Sequence, residues 1–282
     1  MGTLFVVSTP IGNLEDISLR ALRVLGEVPL IAAEDTRHTR KLLNHFNIST
    51  RTISYHQHSA PSRVEELLGE LQKGDLAIVT DAGTPALSDP GAELVAAAAA
   101  AGFNVVAIPG ASALLTLVAV SGLDATRFSY IGFMPRKGKE RAKLIEQAGH
   151  ADWPFVLYES PHRMAETLND LHAALGDRTV VVGRELTKLH EEIFRGRLSD
   201  AAAHFASQPV RGEVAILVDA GHGENAEQLA EPAAQVDLDS LLRDLEAQGL
   251  ASKDAARQAA KVVGISTRDA YNRLMKIRAE SE

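Results

Sequence analysis

The chain contains no cysteine. That absence removes structural disulfides, thiolate metal sites and cysteine nucleophiles at once. Long apolar runs are missing too. No uninterrupted stretch approaches the roughly 18 residues of a membrane span, and the alanines at Ala96–Ala101 read as helix. The opening MGTLFVVSTPIGN lacks the basic start and small-residue cleavage site of a signal peptide, and reads as a buried strand entering a loop. A cytoplasmic protein with no membrane partner is the expectation. Neither STPIGN nor PGASA is a G-x-G-x-x-G fingerprint, and no G-x-x-x-x-G-K-[ST] occurs. Ordinary Rossmann dehydrogenases and P-loop kinases are therefore disfavoured. Excess positive charge is also lacking. With 29 Lys/Arg against 37 Asp/Glu the formal net charge is -8, which argues against a surface built throughout for nucleic acid and leaves room for a local basic groove.

What is present is the mixture of a soluble globular protein, 282 residues long, 45% hydrophobic and 23% charged. That length suits two domains and a small appendage. In residues 1–120 short apolar strands alternate with helical patterns. Strands are expected at Leu4–Val7, Leu30–Ala33, Leu76–Val79 and Val105–Ile108, with helices at Ile17–Leu25, Thr39–Phe46, Val64–Leu71 and Ala92–Ala101. Such alternation predicts a largely parallel sheet covered by helices. Residues 121–220 read as a second α/β domain with a mixed sheet. Its strand candidates are Phe128–Phe133, Phe155–Tyr158, Thr179–Gly183 and Glu213–Val218, and its helices Arg141–Gly149, Met164–Leu175 and Leu198–Ser207. The stretch 221–237 has a linker composition. Residues 238–282 carry helical patterns at Leu238–Gln248, Lys253–Val263 and Arg268–Arg278, with Ser252 and Ser266 or Thr267 as N-cap candidates. They fit a helix-turn-helix unit or a plain helical bundle equally.

The least ordinary sequence lies in loops that follow predicted strands, where α/β folds place ligands. DAGTPALSDPG at 81–91 combines Gly83 and Gly91, which allow unusual backbone, with Pro85 and Pro90, which stiffen it. Asp81 can accept from a ligand hydroxyl or amine, or simply cap its own loop. Small Ser112 and Ala113 at a helix start leave room for a flat ring, or serve a tight helix–sheet contact. In EDTRHTRKLL at 34–43, Arg37 shares a helix side with Arg40 or Lys41 and can grip phosphate, or join a surface salt-bridge network. His56 and His58 have no evident third ligand, so no metal is expected. Arg136, Lys137, Lys139, Arg141 and Lys143 form the densest basic cluster, able to follow a phosphate backbone or to sit solvated at a helix start.

Taken together, VSTPIGNLEDIS, AAEDTRHTRKLL, SYHQHS, DAGTPALSDPG, PGASA, GFMPRKG, YESPHR and RELTKLHEE, in that order across the first 220 residues, closely resemble the RsmI family. These are bacterial enzymes that 2'-O-methylate a cytidine in the decoding region of 16S ribosomal RNA. One departure is Ser59, which closes SYHQHS where an amide residue is common. The resemblance implies the two-domain, tetrapyrrole-methylase-like (class III) methyltransferase fold with a small C-terminal helical domain. It also implies S-adenosylmethionine in the interdomain cleft, a homodimer, and 16S ribosomal RNA, in the 30S subunit, as partner. Pro10, Asp81, Ala82, Gly83, Ser112 and Ala113 look like parts of the donor pocket. Glu34, Arg37, Glu185 and Lys188 are the catalytic candidates. Glu34, Glu185 or a neutral Lys188 would take the hydroxyl proton, while Lys188 or Arg37 would offset charge developing on oxygen. The RNA side would be held by Arg40, Lys41, Arg136, Lys137, Lys139, Arg163 and Arg184, with Arg268 and Arg273 from the terminal helices. Two other readings stay open, a methyltransferase for a tetrapyrrole or other small molecule, and a non-catalytic RNA-binding assembly factor.

Overall fold

The computed structural model describes residues 2–207, 210–221, 238–247, 250–263 and 266–279. The linker expected at 221–237 lies, beyond residue 221, outside the described residues. The chain divides into two compact units, Met1–Ala226 and Glu227–Glu282.

The first unit begins with an all-parallel sheet of β1 (Thr3–Val7), β2 (Leu30–Ala33), β3 (Arg51–Ser54), β4 (Leu76–Val79) and β5 (Asn104–Ile108), in the order β3-β2-β4-β1-β5. The inner strands β2 and β4 are buried at every residue. Parallel strands covered on both faces have this continuous apolar sequence. The pleat sends alternate residues to opposite cores. Leu30, Ala32, Leu76 and Ile78 pack on Leu67 and Leu71 of α3 (Pro61–Lys73) and on Leu94 and Ala98 of α4 (Ala92–Ala100). Ile31, Ala33, Ala77 and Val79 pack on Val24 and Leu25 of α1 (Leu19–Glu27) and Leu43 of α2 (Thr36–His45). Side-chain caps start these last two helices. Ser18 Oγ accepts from Ala21 N at 3.0 Å, and Asp35 Oδ1 from Arg37 N at 2.8 Å.

Chain connections leave β1 toward one edge of the sheet and β4 toward the other. The loops after these adjacent strands therefore open into one crevice. There they join directly. Thr9 N donates to Gly83 O at 2.9 Å, Gly83 N donates to Thr9 O at 3.1 Å, and Ser8 Oγ lies 2.9 Å from Thr84 Oγ1.

The second sheet holds β6 (Ser129–Phe133), β7 (Phe155–Glu159), β8 (Thr179–Arg184), β9 (Glu192–Arg197) and β10 (Val214–Val218), ordered β6-β7-β10-β8-β9. It is mixed: β6 runs parallel to β7, and the remaining pairs are antiparallel. Phe155, Leu157, Val180, Val182 and Ile216 face α6 (Lys139–Gly149), α7 (Met164–Leu175) and α8 (Leu198–Ala206). On the other face Val156, Val181, Ala215 and Leu217 pack on Leu114 and Leu117 of α5 (Ala113–Ser121). This helix leaves the loop after β5, so it carries the first sheet's chain onto the second sheet.

Two strands escaped the sequence reading. Both β3 and β9 are edge strands, and their RTIS and EIFRGR sequences lack the apolar alternation of a half-buried strand. The second unit consists of α9 (Leu238–Ala247), α10 (Ser252–Val263) and α11 (Thr267–Ala279) around Leu242, Leu245, Ala255, Ala259, Leu274 and Ile277. Ser266 caps α11 by accepting from Asp269 N at 3.1 Å, while Ser252 is the first helical residue of α10.

Candidate active site

A cavity of about 420 Å³ lies between the two sheets of the first unit. Small-molecule sites typically enclose roughly 300–1,000 Å³. The first sheet supplies loops: Ile11 after β1, Glu34 after β2, Asp81–Thr84 and Leu87–Asp89 after β4, and Ser112 and Ala113 entering α5. The second sheet supplies Phe133, Tyr158 and Glu159, then Gly183, Leu186, Gly212–Val214 and Ala215. Among the residues expected to hold a donor, Asp81, Ala82, Gly83, Ser112 and Ala113 line this space. Pro10 is buried one residue before Ile11 and does not.

The loop 81–91 is unusually constrained. Ala86 and Ser88 adopt φ of +70° and +64°, left-handed values that cost non-glycine residues energy. Ala86 N donates to Pro90 O at 3.1 Å, and Ser88 Oγ sits 2.6 Å from Tyr130 Oη on β6. Gly83, at φ +88°, turns the chain beside Ile11. Glu34 and Asp81 lock the loops after β2 and β4 to each other. Glu34 Oε2 accepts from Asp81 N, and Asp81 Oδ1 accepts from Asp35 N, both at 3.2 Å.

Asp89 differs from these acids. No hydrogen-bond donor or cation among the described residues engages its carboxylate. Burial, and then the negative charges of Glu34, Asp81 and Glu213, push its pKa up to about 6. Across the cavity, burial and then neighbouring Tyr130 raise the Tyr158 phenol to about 12, so it stays protonated. Tyr158 Oη accepts from Leu114 N at 3.1 Å. The Tyr158 ring meets Tyr130 and Phe133 edge-on, at 5.2 and 5.6 Å between centroids.

Glu185 and Lys188 stand together just beyond Leu186. Lys188 Nζ donates to Glu185 Oε1 at 2.8 Å and to Glu213 Oε2 at 3.0 Å. Burial works against the charged forms of both. The lysine's hydrogen bonds outweigh it, holding Lys188 above and Glu185 below their ordinary pKa values. Lys188 is thus a cation here, which counts against its expected role as a neutral proton acceptor. Its stem also lies over the backbone of Gly12, where a Cβ would come within 2.3 Å of Cγ.

Several expected cations are engaged elsewhere. Arg37 is exposed and forks onto Asp35, with Nε and Nη2 at 3.1 and 2.7 Å. The hydrogen bond and charge of Asp35 raise its pKa. Arg37 does not line the cavity. Arg40 Nη2 donates to Thr52 Oγ1 at 2.8 Å, and Lys41 is exposed on the same helix. Arg163 pairs with buried Glu159 and donates to Met134 O at 3.1 Å. Arg184 Nε donates to Glu192 Oε2 at 2.8 Å. Arg141, part of the dense basic cluster in the sequence, is buried against Asp170 Oδ2 at 2.8 Å and Thr167 Oγ1 at 3.0 Å. Arg136, Lys137 and Lys139 are exposed just after Phe133, itself an exposed aromatic on the cavity wall. In the second unit Arg268 is exposed, and Arg273 Nε donates to Asp239 Oδ1 at 2.7 Å. His56 Nδ1 accepts from His58 N at 3.2 Å, and no group able to hold a metal ion is found among the described residues.

A parallel sheet and a mixed sheet enclosing one acid-rimmed, largely apolar cavity is the build of the tetrapyrrole-methylase class of methyltransferases. Residues 3–202 match the model of the Tetrapyrrole (Corrin/Porphyrin) Methylases family. The fold is also that of a solved diphthine synthase, with TM-score 0.64 and 16% identity, covering 84% of this chain and 99% of that one. The chain is 44% identical over 282 residues to the ribosomal RNA small subunit methyltransferase I of Synechocystis sp., covering 99% of this chain and 100% of that protein. The same-named protein of Thermotoga maritima is 45% identical over 219 residues, so that 77% of this chain covers 98% of it. This chain belongs to the ribosomal RNA small subunit methyltransferase I family, within the tetrapyrrole methylases, and is a methyltransferase.

Proposed function

We propose that this enzyme transfers a methyl group from S-adenosylmethionine to the ribose 2'-hydroxyl of a cytidine in the decoding region of 16S ribosomal RNA. The observation that carries the reading is the near-full-length relative named for small-subunit ribosomal RNA. The cavity fits the donor's chemistry. Ile11, Ala82, Leu87, Ala113, Leu186 and Ala215 offer apolar wall to a nucleoside and its methylenes, while Glu34 and Asp81 offer negative charge to a sulfonium cation. The backbone of Gly83 offers close approach without a side chain. S-adenosylmethionine, when bound, supplies a methyl group already activated on positively charged sulfur.

The chain's own work is then alignment and removal of water. Loops 8–13 and 81–91, tied by the Thr9–Gly83 pair and by Ser88 to Tyr130, hold one wall fixed. Holding donor and hydroxyl in line removes much of the entropic barrier to a two-body reaction. Lys188, kept cationic, is placed to attract a phosphate or offset developing negative charge, whereas Arg37, forked onto Asp35, is the weaker candidate for that role. Phe133 with exposed Arg136, Lys137 and Lys139 suits single-stranded RNA, which is held by stacking and phosphate contacts. Arg40, Lys41 and Arg268 are further exposed candidates. Arg163, Arg184 and Arg273 would reach RNA only by sharing or exchanging their present partners.

The enzyme acts in the cytoplasm on the 30S particle, and as a homodimer. Leu115 and Val120, exposed on α5, give such a dimer apolar surface. Residues 1–120 and 121–220 act as the two domains that close on the donor. Residues 238–282 are an auxiliary RNA-docking domain, in keeping with a same-named relative that three quarters of this chain covers almost whole. The test is transfer of labelled methyl to 30S subunits lacking native modifications, with the labelled nucleotide mapped. Label on a decoding-region cytidine ribose is the expected result. Donor binding without transfer to 30S particles or naked 16S RNA would redirect the search to small acceptors.

A further inference from the structure

Five carboxylates line the cavity, and four of them accept at least one hydrogen bond. Glu34 and Asp81 accept backbone N–H groups across the two loops that they join. Glu213 accepts from Lys188, and Glu159 is bound to Arg163, Ser160 N and Thr167 Oγ1. Only Asp89 lines the cavity with no donor or cation among the described residues to quench it.

Its loop also holds it still. The left-handed Ala86 and Ser88 flank it on one side, the Ala86–Pro90 hydrogen bond closes the turn around it, and Ser88 anchors the loop to Tyr130 of the other sheet. Strained backbone of this kind persists where surrounding structure over-determines it, and it clusters at functional sites. The groups facing Asp89 are Glu34, Asp81 and Glu213, with the hydroxyls of Tyr130 and Tyr158. Among the described residues, Lys188 is the cation bound to this set, and it is spent on Glu213 and Glu185.

Resting on the function proposed above, we propose that Asp89 is the proton acceptor for the ribose 2'-hydroxyl. The new bond joins the 2'-oxygen to the methyl carbon as the methyl–sulfur bond breaks. The bonding pair returns to sulfur, leaving a neutral thioether, and the hydroxyl proton passes to the Asp89 carboxylate and then to solvent. A carboxylate poised near neutrality is a far stronger acceptor than an ordinary aspartate, yet is still ionised at the working pH. Glu185 and Lys188 do not line the cavity, and Glu34 already accepts the Asp81 N–H that ties the loops after β2 and β4 together.

The experiment compares wild type, Asp89→Asn and Asp89→Glu in single-turnover methyl transfer to 30S subunits between about pH 5 and pH 8, with donor affinity measured by calorimetry. The wild-type rate should rise through an apparent pKa near that of Asp89. Asp89→Asn should be slower by about 100-fold or more and lose that rise, with donor affinity kept within about threefold, and Asp89→Glu should recover part of the rate. Wild-type turnover or an unchanged pH profile in Asp89→Asn overturns the assignment. A fall in donor affinity matching the fall in rate overturns it too, and would make Asp89 a donor ligand. Failure of the wild type itself to methylate 30S particles, with donor binding intact, instead removes the substrate reading on which the assignment stands.

Discussion

Asp89 and Glu159 line the same cavity from opposite sheets and are built in opposite ways. Glu159, at the end of β7, is 2% exposed and fully partnered, by the Arg163 guanidinium, Ser160 N and Thr167 Oγ1. Asp89, on the loop after β4, is half-buried among like charges and has no partner among the described residues. One carboxylate holds a wall together. The other is held in place by a wall that does not neutralise it. The contrast extends to the sheets: the second lines the cavity with strand residues and aromatic rings as well as with Leu186, Gly212 and Glu213 from its loops, whereas the first lines it from the loops that follow its strands and the start of α5. These two carboxylates thus divide stability and chemistry between them.

The division predicts substitutions of opposite sign. Glu159→Ala leaves the Arg163 guanidinium and the Thr167 hydroxyl without their acceptor in the interior. Breaking a buried pair from one side costs about 3 kcal/mol or more, which urea unfolding should register as a lower midpoint. A loss well under about 1 kcal/mol would show that the pair is not structural. Asp35→Ala removes the cap of α2 and should cost about 1 kcal/mol, measured in the same way. Because Asp35 also occupies Arg37, the variant frees that cation, and tighter RNA binding at low salt is expected. Asp89→Asn should go the other way. Its folded pKa of about 6 exceeds the ordinary aspartate value of 3.8, so the folded state binds the proton more tightly and ionisation destabilises it as pH rises through that interval. The variant should therefore melt with the wild type below the lower value and above it once the pH passes the higher one. Equal melting temperatures at both ends would mean that Asp89 titrates like a solvent-exposed carboxylate.

The sequence read best where burial is two-sided. Strands β2 and β4 and helix α7 were legible to the residue, because interior strands must be apolar throughout and α7 carries a clear buried face. Edge strands β3 and β9 were invisible, since one open side tolerates Arg51, Glu192 and Arg195 where the pattern demands apolar residues. At the site, the loop 81–91 stood out by its glycines and prolines, yet Asp89 did not stand out within it. Nothing local marks that residue. Its environment is made by Glu34, by Glu213 and by the far sheet, which meet it only in the folded chain. The cations failed for the mirror-image reason. Arg141 and Arg163 look available in sequence, and only tertiary structure brings Asp170 and Glu159 to them. A single cue was there to be used: Ser-Asp-Pro-Gly is an acid on a rigid turn, and an acid so placed is aimed by its backbone.

The most direct test of a cavity shared between the sheets is a nuclear Overhauser measurement on the enzyme bound to S-adenosylmethionine carrying a carbon-13 methyl group. Cross-peaks from that methyl to Ile11 or Ala82 on one side and to Leu186 or Ala215 on the other are the predicted result. A bound donor whose methyl reaches residues of only one sheet, or none of these four, would contradict the account.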